Sequence, residues 1–382
     1  MPSFPNLLAR GLLAAVTVLA AAPSHAELAP RPWHVAAPAV SHRELRFESH
    51  GVTLTGTLSL PASGTGLPAV VVTHAAEAPT RDYALYRHLA EDLPKLGYAV
   101  FVYDRRGSGA SGGDRETSDY TLLADDAIAA QKAIAQDPRI DPRRIGFWGL
   151  SQGGWLSILA AARSPDAAFA VSISAPLTSP ADQMVFAVRN MMSLHGYPAA
   201  DIEQAVATRH TVDGYLRGEV DRAAAQAALD RASGQPWFKD TFLGAQLSPD
   251  PSRSRWRLEM SYDPVAPLLK TRVPVLVIYG ADDPWVPAQD SLHRLEAIQR
   301  SHANLTVRVL PNADHMLMAP AKDAMAFDAA SLKAEAPESP AYYLLLGDWL
   351  ARTTARPAAT PVHAQAPRLS ERHHAVQASS SR

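Results

Sequence analysis

Ile145-Gly146-Phe147-Trp148-Gly149-Leu150-Ser151-Gln152-Gly153-Gly154-Trp155 is the stretch whose reading decides the fold of this chain. Arg144 to Gly149 suits a short buried strand, and Gln152 to Arg163 suits a helix. Between them, Gly149-Leu150-Ser151-Gln152-Gly153 spells G-x-S-x-G, with Gly154 directly behind. A serine on so sharp a strand-to-helix turn needs neighbours two residues away that lack bulk. The helix opening at Gln152 aims its amide end at the serine, which favours negative charge developing there. Glycine and serine are common in loops, so the pentapeptide alone is weak, and an ordinary turn is the plain alternative. The strand before it and the helix after it point instead to Ser151 as a nucleophile.

Working outward, strands and helices alternate. Glu44 to Leu60 reads as a hairpin turning at His50-Gly51. Val70-Val71-Val72 is an apolar run that suits a strand buried on both faces, Tyr98 to Tyr103 is another buried strand, and Phe169 to Ser174, Val273 to Tyr279 and Leu305 to Leu310 also read as strands. Helical spacing covers Tyr83 to Leu96, Leu122 to Gln136, Ala288 to Arg300 and Tyr342 to Thr354. The pattern predicts an α/β fold with a mostly parallel central sheet and helices on both faces. Residues 181–262 break the alternation. They have helical composition and no convincing strand, so they read as a helical cap inserted between core segments 44–180 and 263–354.

The ends read differently. Residues 1–26 have the pattern of a signal peptide: Arg10, an apolar stretch from Leu12 to Ala22, then Ser24-His25-Ala26. Cleavage near Ala26 would export the chain to the periplasm or the outside; an uncleaved anchor is the alternative. Residues 27–43 form an Ala/Pro-rich leader, and residues 355–382 a tail with few large apolar groups, expected to be disordered. No other segment approaches about 18 uninterrupted apolar residues, so no transmembrane segment is expected in the mature chain.

Composition removes several function classes. The chain has 382 residues, 47% of them hydrophobic, and a formal net charge of −2, so no basic field argues for nucleic acid. It has no cysteine, which excludes disulfides, thiolate metal sites and a cysteine nucleophile together. No metal and no organic cofactor is called for. Gly107-Ser108-Gly109-Ala110-Ser111-Gly112 formally matches a dinucleotide fingerprint, but it follows a later strand and does not open directly into a helix, so it reads as a turn.

A serine nucleophile needs a base, and the base needs an orienting carboxylate. Asp282 and Asp283 follow the strand that ends at Gly280, and both are candidates for the acid. His315 follows the last strand, and among the 14 histidines it is the one placed in the order Ser, Asp, His. One oxyanion amide should come from Gln152, the other from Ala75 or Ala76 in the loop after Val70–Val72. Met184, Met191, Trp237, Phe238 and Phe242 are candidates to line an apolar substrate pocket, or simply to pack the cap. Glu203, Asp213 or Glu219 would hold a free amine if the substrate were a peptide.

These residues together resemble the α/β-hydrolase superfamily. The resemblance spans roughly Glu44 to Thr354. It rests on Gly149–Gly153, on Tyr103-Asp104-Arg105-Arg106-Gly107-Ser108-Gly109, on Tyr279-Gly280-Ala281-Asp282-Asp283 and on Asp314-His315. Within the superfamily the chain is similar to bacterial exported esterases and serine-peptidase-like hydrolases with a helical cap. The resemblance implies Asp283 rather than Asp282 as the acid, a small-molecule ester (or short amide) as substrate, and an acyl-enzyme intermediate. It also marks a departure: relatives carry Gly-Ser-Gly-Pro after the histidine, whereas this chain carries Ala75-Ala76-Glu77-Ala78-Pro79. A non-catalytic binding protein on the same scaffold is the rival from another class.

Overall fold

The computed structural model describes residues 39–248, 250–319 and 333–355. Residues 1–26, read as an export signal, most of the segment read as a leader and nearly all of that read as a tail lie outside the described residues. The sheet has eight strands: β1 (Ser41–Ser49), β2 (Val52–Leu60), β3 (Leu67–Thr73), β4 (Ala99–Tyr103), β5 (Ile140–Leu150), β6 (Ala170–Ile173), β7 (Val275–Gly280) and β8 (Leu305–Leu310). Their order across the sheet is β1-β2-β4-β3-β5-β6-β7-β8. β1 pairs antiparallel with β2, and β2 with β4; every later pairing is parallel.

The unbroken valine run has a direct physical reason. Val71 packs into the core on one face of the sheet, Val70 and Val72 into the core on the other. Strand β7 repeats this, with Val275, Val277 and Tyr279 on one side and Leu276 and Ile278 on the other. Each fully buried aliphatic side chain contributes about 1.5–3 kcal/mol by leaving water, so one-residue slips of register are strongly disfavoured. The hairpin turns at His50 (φ 48°) and Gly51 (φ 71°), two left-handed residues, as a two-residue hairpin between twisted strands requires.

The helices are α1 (Ala84–Asp92), α2 (Tyr120–Ile134), α3 (Gln152–Arg163), α4 (Pro180–Leu194), α5 (Ala199–Arg217), α6 (Arg222–Ser233), α7 (Arg255–Glu259), α8 (Val265–Lys270), α9 (Ala288–Gln299) and α10 (Pro340–Thr353). α4 through α8 fall between β6 and β7, where the alternation breaks. The inserted helices have apolar clusters of their own, one of them built on Val188, Met192, Val206 and Trp237. Among the described residues, no helix is long and apolar enough to cross a membrane.

Some boundaries differ from the sequence reading. Ser41, His42 and Arg43, read as leader, pair with Leu60, Ser59 and Leu58 and start β1. The helix read as Tyr83–Leu96 is α-helical only to Asp92. A 3₁₀ turn follows from Leu93 to Leu96, with Pro94 near its start, where its missing N–H costs nothing.

The Gly107–Gly112 segment is a packed turn. Gly107 N–H donates to the Gly112 carbonyl at 2.8 Å, and a Cβ on Gly109 would lie 2.5 Å from the Asp104 carboxylate. Arg106 anchors the same loop through two bonds to buried Asp126 and one to the Ser49 carbonyl.

Candidate active site

Ser151 sits between β5 and α3 at φ 57°, ψ −125°, a backbone conformation that L side chains rarely adopt. Its N–H donates to the Ile173 carbonyl at 2.7 Å, and its carbonyl accepts from Gly154 N–H at 2.8 Å. The flanking glycines are dictated by contact. A Cβ at Gly149 would lie 2.1 Å from the Gly153 carbonyl oxygen, and one at Gly153 would lie 2.4 Å from the Thr73 carbonyl oxygen. Thr73, at the end of β3, ties the elbow down by donating its hydroxyl to Gly153 O at 2.7 Å or Trp148 O at 3.0 Å.

β7 and β8 end beside each other, and their loops bring Asp283 and His315 together. His315 Nδ1 lies 2.7 Å from Asp283 Oδ2, and both side chains are buried. The other carboxylate oxygen, Oδ1, accepts the Trp285 N–H at 2.8 Å. Asp282 is exposed, and its N–H goes to the Ala313 carbonyl. Of the two candidate acids, Asp283 is the one in contact with His315. Ser151, Asp283 and His315 thus stand at the C-terminal ends of β5, β7 and β8, the edge where sites form in open α/β sheets.

Gly280 sets the spacing of that pair. A Cβ there would lie 2.3 Å from the Ala313 carbonyl oxygen and 2.4 Å from that of Asp314. Both are backbone atoms of the histidine loop, so the loop itself must move. Gly280→Ala is therefore expected to lower kcat by about a hundredfold, the cost of roughly 1 Å of misplacement. Steady-state kinetics on folded variant check this, and an unchanged kcat would rule out the coupling.

The oxyanion loop corrects one expectation. Ala75 N–H is already bound to the buried Tyr86 hydroxyl at 2.9 Å, and that hydroxyl donates to the Ala78 carbonyl at 2.6 Å. Ala75 is thereby withdrawn as a donor. The Ala75–Ala78 turn closes through Ala78 N–H to Ala75 O, and Ala76 N–H has no partner among the described residues. Ala76 remains, with Gln152 at the first turn of α3, as the pair of amides available to an oxyanion.

His74 shapes the loop and is no base. It is buried, its Nε2–H donates to the Tyr103 carbonyl at 2.5 Å, and its pKa is pushed down to about 3. Burial is the main cause, with the Arg105 charge second.

The expected pocket residues divide. Trp237 is only 2% exposed and packs with Val188, Met192 and Val206 of the inserted helices, and Met191 is 4% exposed. Met184 and Phe238 are half-buried. Phe242 is 47% exposed, with its ring centroid 5.0 Å from that of Trp285, two residues past Asp283. Sequence reasoning missed Gln183 and Asn190 of α4. They donate to the Trp285 and Pro284 carbonyls, both at 2.8 Å, and fasten the acid loop to the inserted helices. No local signal marks them, because their partners lie about a hundred residues away.

A serine on a strained elbow, a histidine–carboxylate pair at the same sheet edge and this strand order define an α/β-hydrolase. More narrowly, the chain belongs to the serine aminopeptidase S33 family (Hydrolase_4), whose model matches residues 69–320. Among its relatives, the polyketide transferase claH of Penicillium crustosum is 29% identical over 151 residues, covering 37% of this chain and 47% of claH. The thiohydrolase aneE of Aspergillus aculeatus is 35% identical over 113 residues, covering 29% of this chain and 34% of that protein. The chain spans less than half the length of the curated relatives it matches. Among solved structures, the Pyrococcus furiosus esterase Pf2001 superposes with a TM-score of 0.54 at 16% identity, over 82% of this chain and 91% of that one.

Proposed function

We propose that the protein is a serine hydrolase that cleaves carboxylic esters through an acyl-enzyme. The contact between His315 Nδ1 and Asp283 Oδ2 carries the reading. It fixes the tautomer that carries its proton on Nδ1, which makes Nε2 the basic nitrogen. In the first half-reaction, the Ser151 hydroxyl proton moves to His315 as Oγ bonds to the ester carbonyl carbon. The tetrahedral oxyanion is held by the Gln152 and Ala76 amides. The C–O bond to the leaving alcohol then breaks, and the alcohol takes the proton from His315. Water repeats the sequence on the acyl-enzyme and releases the acid. No step requires a cofactor.

Esters are favoured over peptides by where the carboxylates fall. Glu203 is exposed and paired with Arg189; Glu219 is exposed and paired with Arg217. Asp213 is buried and accepts the Trp256 Nε1–H at 2.7 Å. None of the three is left to receive a substrate's free amine. The reading of residues 1–26 as an export signal makes this an exported enzyme.

Initial rates on a graded series of p-nitrophenyl esters, acyl thioesters and aminoacyl anilides test the assignment. Esters are expected to turn over fastest. Preference for the anilides would replace esterase by peptidase. Absence of turnover, together with no fluorophosphonate labelling, would remove the enzyme reading altogether.

A further inference from the structure

The two oxyanion segments are connected to each other through the inserted helices. On one side, the buried Gln152 side chain accepts from Arg105 Nη2 at 2.5 Å and donates to Tyr120 Oη at 3.0 Å and to Glu259 Oε2 at 3.1 Å. On the other side, the Ala76 carbonyl accepts from Arg115 Nη2 at 3.2 Å, and the same nitrogen lies 3.7 Å from Glu77 Oε2. Arg255 joins the halves, with Nε 3.3 Å from Glu259 Oε1 and Nη2 3.8 Å from Glu77 Oε1. Contacts therefore run from Gln152 through Glu259, Arg255, Glu77 and Arg115 to Ala76.

The links are unequal. Glu77 is 60% exposed, so its two long contacts are screened by water and weak. Glu259 is 2% exposed, and its carboxylate is out of water between Arg255 and the Gln152 amide. Its place is fixed from both ends of α7. Trp256 is bonded to Asp213 of α5, and Tyr262 packs edge-on against Tyr120 at 4.8 Å and beside Trp155 at 6.1 Å. A turn built from alanines in place of glycines is thus braced by Tyr86 below and by this ionic path across its mouth.

We propose that Glu259, carried on α7 of the insert, is a positioning residue for the oxyanion hole: it holds Gln152 directly and, through Arg255 and the weaker contacts of Glu77, the Ala76 turn. The inference rests on the serine-hydrolase reading of Ser151. It makes the seating of the inserted helices a condition for stabilising the oxyanion, and not only for shaping a pocket. Glu259 Oε2 accepts from Gln152, while Oε1 is ion-paired with Arg255 at 3.3 Å without a hydrogen bond.

Glu259→Gln and Arg255→Gln test this, with Arg255→Lys as the conservative rescue. The readouts are kcat and KM on an ester, and the inhibition constant of a trifluoromethyl ketone. The ketone bonds to Ser151 and places an oxyanion in the hole. Loss of a whole oxyanion donor costs about 10²–10³ in kcat, so a displaced donor is expected to cost about 10–100-fold. KM should hold, ketone affinity should weaken by the same factor as kcat, and Arg255→Lys should recover most of the loss. An unchanged kcat in folded Glu259→Gln, or a fall in kcat with ketone affinity intact, overturns the proposal. If Glu259→Gln does not fold, Arg255→Gln is judged by the same two readouts. Wild-type protein without turnover or fluorophosphonate labelling would overturn the serine-hydrolase reading and this inference with it. Active wild type with unaffected variants would overturn only the positioning role.

Discussion

Ser151→Ala is expected to lower ester turnover by about four to six orders of magnitude and to abolish fluorophosphonate labelling, leaving the fold intact. The size of the loss follows from what remains. Without Oγ no acyl-enzyme forms, and the Gln152 and Ala76 amides can assist only a direct attack by water. The expectation of an intact fold follows from the backbone. Ser151 lies at φ 57° and ψ −125°, which typically costs about 1–3 kcal/mol, and alanine meets the same strain. Glycine does not. Ser151→Gly should therefore be equally inactive yet more stable, by about 1 kcal/mol in urea unfolding. A gain in stability coupled to a loss of chemistry would mark the strain as serving the site. Labelling of Ser151→Ala at the wild-type rate would defeat the assignment of the nucleophile.

How much of this was readable in advance depended on how local the determining physics is. β8 is found at the bounds its β-branched residues predict, because a strand flanked by loops is specified by its own residues. β5 is longer than Arg144–Gly149 because Ile140 pairs with Leu67 across a register shift. Nothing in Asp141-Pro142-Arg143 announces a strand, since that pairing is supplied by β3. The site shows the same division. Ser151 and His315 each follow a strand, so chain order is enough to nominate them; for the acid it leaves Asp282 and Asp283 open, and only the family resemblance chooses between them. The choice between Ala75 and Ala76 was not readable, because it turns on the Tyr86 hydroxyl reaching back from α1. Trp237 stays open in the sequence, between lining a pocket and packing the cap, for a related reason. An aromatic residue in an insert looks the same in sequence whether it faces a ligand or its own helices, and here it faces Val188, Met192 and Val206. The path through Glu259 is out of reach of the sequence, since Glu259 is 107 positions from Gln152 and lies in no recurring motif.

Asp283→Asn is expected to reduce kcat by about 10⁴, whereas Asp282→Asn should leave it unchanged. The local hydrogen bonds make the first outcome unusually well determined. Trp285 N–H donates to Oδ1, and an amide at this position must keep its oxygen there to accept it. Its NH₂ group is then forced into the place of Oδ2, facing His315 Nδ1 at about the 2.7 Å seen for the carboxylate. A donor facing Nδ1 selects the tautomer whose proton sits on Nε2. That nitrogen can no longer take the proton from Ser151. The imidazolium that forms during turnover also loses its buried counter-charge. Asp282 is exposed and contributes a backbone N–H to the Ala313 carbonyl, which asparagine preserves. Comparing kcat for the two variants, each verified as folded by thermal unfolding, separates the candidates. The reverse pattern, with Asp282→Asn inactive and Asp283→Asn unimpaired, would mean that the His315–Asp283 contact is structural and that the acid lies elsewhere. Retention of activity by both would remove the carboxylate from the mechanism. The Trp285 bond is thus what turns an isosteric substitution into a reversal of the histidine's tautomer, and Gln183 and Asn190 of α4 hold the loop that presents it.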